Sequence, residues 1–381
     1  MREQQTHAWW LVVAALVGGV WTVSACGEET SSSDPGSSSS GASSGDNGGS
    51  SGDNGGSSGE ASSSGTGSSG ETSSGQPPGT ATGETPKNFK VAFIGDTDTG
   101  NDFKDVLDLI VREGAQAVMV QGDLMYSGHN WADWQPVADA KLQAGATKIP
   151  YFISKGNHDF DWNNVSAGLD TKYADWGVKL DSDKPSNVNY SLTFNGLKMV
   201  FVGESTAFGG SQTTRADYVK TQLANDKQIW KICSWHKNMR DTNVGPKSDE
   251  MAWQIYENCR AAGAIVAQGH SHTYGRSKTI TADQSLTVDT ACSDPFALCV
   301  GPGKHFFFDS SVGGVDLRTL QNNTKPQWAS SYSSDFGALF IEFNVDNDPH
   351  KAKGYFKTVG NMVIDPPASS GKTFFTITST N

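Results

Sequence analysis

Six side chains with oxygen or nitrogen donors stand at similar places along this chain, each just after an apolar run. Lys90-Val-Ala-Phe-Ile-Gly95 ends at Asp96, and Ala117-Val-Met-Val-Gln-Gly122 ends at Asp123. Tyr151-Phe-Ile-Ser-Lys-Gly156 ends at Asn157-His158-Asp159, Ile229-Trp-Lys-Ile-Cys-Ser-Trp235 at His236, and Ala264-Ile-Val-Ala-Gln-Gly269 at His270-Ser-His272. Carboxylates, an Asn carbonyl and neutral imidazoles are hard-to-borderline ligands for ions such as Fe, Mn or Zn. No thiolate belongs to the set, which argues against a structural zinc site. Two Asp, one Asn and three His exceed the needs of one ion. They suit two ions that share a bridging carboxylate, a pair able to hold a phosphoryl group for in-line attack by hydroxide.

The elements that would position these residues are legible. Uninterrupted apolar runs of this length suit strands buried on both faces. Between them, Phe103, Val106, Leu107, Ile110 and Val111 recur at helical spacing, and Gly114 sits where a helix-ending glycine belongs. Tyr218 to Leu223 and Met251 to Ala262 read as further helices. Alternating strands and helices predict an α/β sheet, whose ligands gather beyond the carboxyl ends of its strands. All five strands are expected to deliver their polar residues to one such edge. Phe306 to Gly314, Leu339 to Val345 and Lys353 to Ile364 read as later strands of a second sheet packed on the first. The stretches from Trp162 to Asn189 and Asp241 to Asp249 read as loops.

These motifs resemble the calcineurin-like metallophosphoesterases, and more closely their purple-acid-phosphatase branch, over essentially Lys87 to Asn381. The resemblance rests on Gly95-Asp96, Gly122-Asp123-Leu-Met-Tyr126, Gly156-Asn157-His158-Asp159, His236, and Gly269-His270-Ser-His272 in that order. It implies a four-layer α/β/β/α sandwich and a dinuclear centre of Fe with Zn, Mn or Fe. Asp96 and His272 would bind the first ion. Asn157, His236 and His270 would bind the second, with Asp123 bridging. Tyr126 stands where that branch has a tyrosinate ligand to ferric iron; the alternative is an aromatic ring packed under the site. His158 would contact the substrate phosphate and protonate the leaving alkoxide, or else prop Asn157. The chain departs from the family at Asp96-Thr97-Asp98, where Asp-x-His or Asp-x-Gly is usual. Asp98 is therefore either an extra ligand or a hydrogen-bonding neighbour of the ligands.

The implied activity is hydrolysis of phosphate esters by a metal-bound hydroxide, foremost phosphomonoesters. A phosphodiesterase on the same centre and a non-catalytic surface protein that binds phosphate or metal are the alternatives. The partner expected is a small phosphorylated substrate. Lys237 and Arg240 could meet phosphate oxygens or simply face solvent. His129 could line the mouth or sit in a turn. His305, His350 and His7 show no partner pattern.

Bulk properties divide the 381-residue chain in two. Arg2 and the apolar run Ala8 to Ala25 read as a signal peptide over 1–25. Val23-Ser24-Ala25-Cys26 resembles a bacterial lipobox, which would acylate Cys26. An exported lipoprotein on the outer membrane or cell surface is expected; an uncleaved anchor is the alternative. Residues 26–86 are Ser/Gly-rich, with Ser-Gly-Asp-Asn-Gly-Gly-Ser twice in tandem from Ser44 to Ser57. With little to bury, they should form a disordered tether with a reach of roughly 40 Å. The catalytic domain is expected over 87–381. Residues 1–86 hold one Arg and nine acidic residues, so most of the net charge of -12 is theirs, and 28 basic face 32 acidic residues after them. That balance gives no nucleic-acid-binding signal and leaves the oligomeric state open. Of the four later cysteines, the favoured pairings are Cys292 with Cys299 and Cys233 with Cys259.

Overall fold

The computed structural model describes residues 84–381. The signal segment, Cys26 and the tether up to residue 83 lie outside the described residues. Thr85, just before Lys87, is buried, and its carbonyl accepts a hydrogen bond from Asn344 Nδ2 at 2.7 Å.

The domain starts as two β-α units and a third strand: β1 (Phe89–Ile94), α1 (Asn101–Arg112), β2 (Ala117–Val120), α2 (Trp131–Leu142) and β3 (Tyr151–Ile153). The three strands are parallel neighbours. Phe103, Val106, Leu107 and Ile110 of α1 are buried, as their spacing predicts, and Gly114 follows the helix at φ 68°. On its other side β1 pairs antiparallel with Gly337–Phe343, and the sheet continues through Lys351–Thr358 and Phe375–Ser379 to Ala297–Val300. Val363–Asp365 completes eight strands.

A second eight-stranded sheet has Leu197–Phe201, Trp230–Ser234, Ile265–Gln268 and Phe307–Ser310 as its parallel centre. The sheets meet through aromatic side chains that bury large areas. Phe93 meets Phe308 edge-on at 5.0 Å, Phe152 meets Phe194 at 5.2 Å, and Tyr274 stacks on Phe356 at 4.0 Å. Trp134 of α2 stacks on Phe103 of α1 and meets Tyr151 of β3 edge-on, so both helices pack on the first sheet. After α3 (Trp162–Asp175), helices α4 (Gln212–Leu223) and α5 (Trp253–Ala261) cover the second sheet. Val219, Ile255 and Tyr256 share a core there with Val200, Cys233 and Val266. The layers are thus α/β/β/α, as expected.

Four expectations are corrected. Of the later strands expected in a second sheet, only Phe307–Ser310 lies there; Gly337–Phe343, Lys351–Thr358 and Val363–Asp365 extend the first sheet from β1, since burial pattern does not record pairing partners. The ligand-bearing strands belong to two sheets: β1, β2 and β3 to the first, Trp230–Ser234 and Ile265–Gln268 to the second. The apolar pattern that marks a doubly buried strand is the same in either sheet, so it does not assign strands to sheets. Residues 162–175 form α3 rather than a loop; Trp162, Val165, Leu169 and Tyr173 do recur at helical spacing, but the Asn, Ser, Gly, Asp and Thr between them are poor helix formers that hide it. The bond between Cys292 and Cys299 is present, but Cys233 and Cys259 are free, buried thiols. They lie in one core, where each packs as a small apolar side chain. Neighbourhood alone does not supply the geometry a disulfide needs.

Candidate metal centre

The chain turns abruptly where the strands end. Asp96, Asp123, His270 and His272 have φ of 56°, 51°, 79° and 54°, in the left-handed region that side chains other than Asn and Asp rarely adopt. Such strain is held at a few positions only when the surroundings fix it. Here it folds each side chain back over the ends of the strands. Gly156 makes the approach of β2 and β3 possible: a Cβ there would lie 2.1 Å from Asp123 Oδ1 and 2.2 Å from its backbone nitrogen.

Two groups of donor atoms result, and they share one oxygen. In the first, Tyr126 OH lies 2.9 Å from Asp96 Oδ1 and 3.4 Å from His272 Nε2, which is 3.2 Å from Asp96 Oδ1. In the second, His236 Nε2 lies 3.1 Å from His270 Nδ1 and 3.0 Å from Asp123 Oδ2. Asp123 Oδ2 is also 3.0 Å from Tyr126 OH, so it belongs to both groups. Separations near 3 Å match the edge of an octahedron whose bonds are about 2.1 Å. The Oδ1 of Asn157 is buried without a hydrogen-bond partner. That residue lies between Gly156, packed on Asp123, and His158, whose N–H donates to Asp123 Oδ1 at 2.7 Å. An orphaned carbonyl beside converging imidazoles and carboxylates is a donor set that fits cations.

Outer partners aim these donors. His236 Nδ1 bonds the Gln121 carbonyl at 2.7 Å, and His272 Nδ1 bonds that of Asp316 at 2.7 Å. Each therefore turns Nε2 inward. His270 does the reverse, with Nε2 2.9 Å from Glu250 Oε2 and Nδ1 inward. Asp159 accepts from the N–H groups of Gly156 at 2.7 Å, Asp123 at 3.1 Å and Leu124 at 2.7 Å, tying the β2 and β3 turns together.

Electrostatics follow from burial and these contacts. Burial by itself raises the Asp96 and Asp123 carboxyls, but His272 and His236 beside Asp96, and His236 beside Asp123, more than offset it, so both end low. Burial works against the charge of His236, yet Asp123 and Asp96 hold it at about 9. His270 is pushed down to about 4 by burial, and the His236 charge adds to this against the pull of Glu250. Its imidazole is thus a neutral donor. Burial, Asp96 and Asp123 drive the Tyr126 phenol far up, so it donates to both carboxylates.

The remaining candidates fall elsewhere. Asp98 Oδ1 lies 2.6 Å from His129 Nδ1 and accepts from the Tyr126 N–H at 3.3 Å. It therefore steadies the Tyr126 loop, and His129 is its partner. Lys237 Nζ pairs with Glu250 at 3.1 Å and Arg240 with Asp241 at 3.1 Å. The half-buried His158 ring packs 4.4 Å from Tyr126. His305 lies buried 2.6 Å from Asp283, far along the chain from any motif. Glu250, Lys247 and Arg318 escaped sequence reasoning, since none ends an apolar run.

Residues 89–274 match the family model of the calcineurin-like phosphoesterases, a span that includes all six expected ligands. The chain belongs to the calcineurin-like phosphoesterase family. As a calcineurin-like phosphoesterase it is a phosphoric ester hydrolase, and the family implies a dinuclear metal centre. A nucleotide pyrophosphatase/phosphodiesterase of Hordeum vulgare is 22% identical over 271 residues, 64% of this chain and 69% of the relative. A protein of Arabidopsis thaliana named probable inactive purple acid phosphatase 1 is 24% identical over 248 residues, 58% of this chain but 38% of its own. The structure of a purple acid phosphatase from seeds of yellow lupin, Lupinus luteus, shares the fold with a TM-score of 0.57 at 17% identity. The match covers 76% of this phosphoesterase and 53% of the lupin chain, so the present chain spans about half of that relative.

Proposed function

We propose that this phosphoesterase hydrolyses phosphomonoesters at a two-ion centre. Asp96, Tyr126 and His272 would hold one ion, Asn157, His236 and His270 the other, and Asp123 would bridge them. The observation that carries this reading is the Asp123 Oδ2 atom, within about 3 Å of both donor groups. When bound, the ions would polarise phosphoryl oxygens and activate the attacking water. Asp123 is kept in place by the His158 N–H and by the Asp159 contacts around its own N–H. His158, half-buried at the mouth, gives a proton to the leaving alkoxide.

Metal analysis, an absorption spectrum and turnover of a mono- and a bis-aryl phosphate test the reading together. Iron with a visible band that vanishes in Tyr126→Phe, and faster monoester turnover, would support it. Faster diester turnover favours the phosphodiesterase, a class to which the barley relative's name belongs. Protein that stays inactive after reconstitution with Fe, Zn and Mn would instead be a phosphate- or metal-binding surface protein. We also propose anchoring through acylated Cys26; radiolabelled palmitate should enter the wild type and not Cys26→Ser.

A further inference from the structure

Charged side chains around the centre are mostly paired. Lys237 has Glu250, Arg240 has Asp241, and Lys325 has Asp241 at 2.6 Å. Lys247 and Arg318 differ. Among the described residues neither has a carboxylate at ion-pair distance. Lys247 instead points at the centre, with Nζ 3.3 Å from Nδ1 of His270, the nitrogen that also faces His236. The charges of Arg318, Asp96, Glu250 and Asp123 all act on it. The backbone N–H of Arg318 donates to the carbonyl of His272 at 3.1 Å, which sets this residue beside the centre. Both side chains are half-buried.

Two cationic side chains beside one site, neither in an ion pair, favour an anion that joins them. Nor can the Lys247 contact with His270 survive metal loading, because Nδ1 has one lone pair and a cation would claim it. The ammonium then needs a new acceptor, and beside two cations that acceptor must be negative. We propose that Lys247 and Arg318 form a cationic clamp for the terminal oxygens of the substrate phosphoryl group and select dianionic monoesters over diesters. The clamp rests on the reading of the site given above and deepens it. A guanidinium takes two such oxygens side by side, whereas an ammonium acts as a point charge. A diester carries one negative charge and has fewer terminal oxygens, so it gains less from the pair.

The test uses metal-loaded protein with Lys247→Gln, Arg318→Gln and Lys247→Arg, and Arg240→Gln as control. The measurements are kcat/KM for 4-nitrophenyl phosphate and bis(4-nitrophenyl) phosphate, binding of inorganic phosphate, and metal content. Each Gln variant should lower monoester kcat/KM by roughly 10²-fold, the range for losing one preorganised donor. Diester turnover should fall less than about tenfold and phosphate binding should weaken at least about tenfold, on the same scale. Metal content should be unchanged, and Lys247→Arg should recover part of the loss. Equal losses on both esters, or unaltered phosphate binding, would overturn the clamp. So would loss of metal in Lys247→Gln, which would make the lysine a support for His270. If the wild type hydrolyses neither ester yet binds phosphate through Lys247, the hydrolytic reading fails and the clamp stands.

Discussion

Glu250 Oε2 lies 2.9 Å from His270 Nε2, and this contact turns the other ring nitrogen toward His236. Carboxylates in that position fix the tautomer and raise the basicity of a ligating imidazole. Glu250→Gln is therefore expected to weaken binding of one of the two ions by about 10–100-fold. The second ion should be held as before. Titration of metal-free protein with Zn, followed by calorimetry, reads the two steps separately; an unchanged pair of affinities would refute the role.

Gly156 admits Asp123 at a distance no Cβ can tolerate. Gly156→Ala must push the β2 and β3 turns apart. Overpacking of this kind costs about 1–3 kcal/mol. Because the displaced residue carries the shared oxygen, bound metal should drop well below two ions per chain even where the domain remains folded. Circular dichroism and metal content on one sample decide it.

Arg276 and Asp365 join the two sheets in the fully buried interior. Nε and Nη2 of Arg276 meet the two carboxylate oxygens at 2.6 and 2.8 Å, and Tyr274 OH adds a bond at 2.7 Å. Breaking a buried pair by removing one charge typically costs about 3–5 kcal/mol. Asp365→Asn should lose stability of that order in urea unfolding, while the double variant Asp365→Asn with Arg276→Met should lose less. A smaller loss in the single variant would show that water relaxes into the site.

Glu113, just past α1, accepts from Lys357 Nζ at 2.7 Å and Tyr355 OH at 2.8 Å. Burial by itself would raise its carboxyl, but these partners and Lys90 bring it below the usual range. A lowered folded value stabilises above the unfolded value near 4.3 and is lost as pH falls through the folded one. Glu113→Gln should thus lower the melting temperature modestly at neutral pH. Its difference from the wild type should shrink below about pH 4. A constant difference across pH would remove the carboxylate from the explanation.

Much of this was legible in one dimension. A strand buried on both faces must be apolar throughout, so its polar end residue stands out against it. That contrast located Asp96, Asp123, Asn157, His236, His270 and His272, and the 3.6-residue spacing located α1. The sequence also carried Gly114 as a helix terminator, because only glycine takes its left-handed conformation without cost.

Other features were decided only by the tertiary structure. Which sheet a strand joins depends on pairing across long stretches of chain, and so the centre proved to straddle two sheets. Glu250 and Lys247 reach it, and the Arg318 backbone borders it, from irregular segments where no periodicity constrains residue type. Cys233 and Cys259 share a core yet stay reduced, because a disulfide depends on the mutual orientation of two Cβ vectors. Local patterns record burial, which each residue meets on its own. Contacts between distant residues arise only when the whole chain has packed.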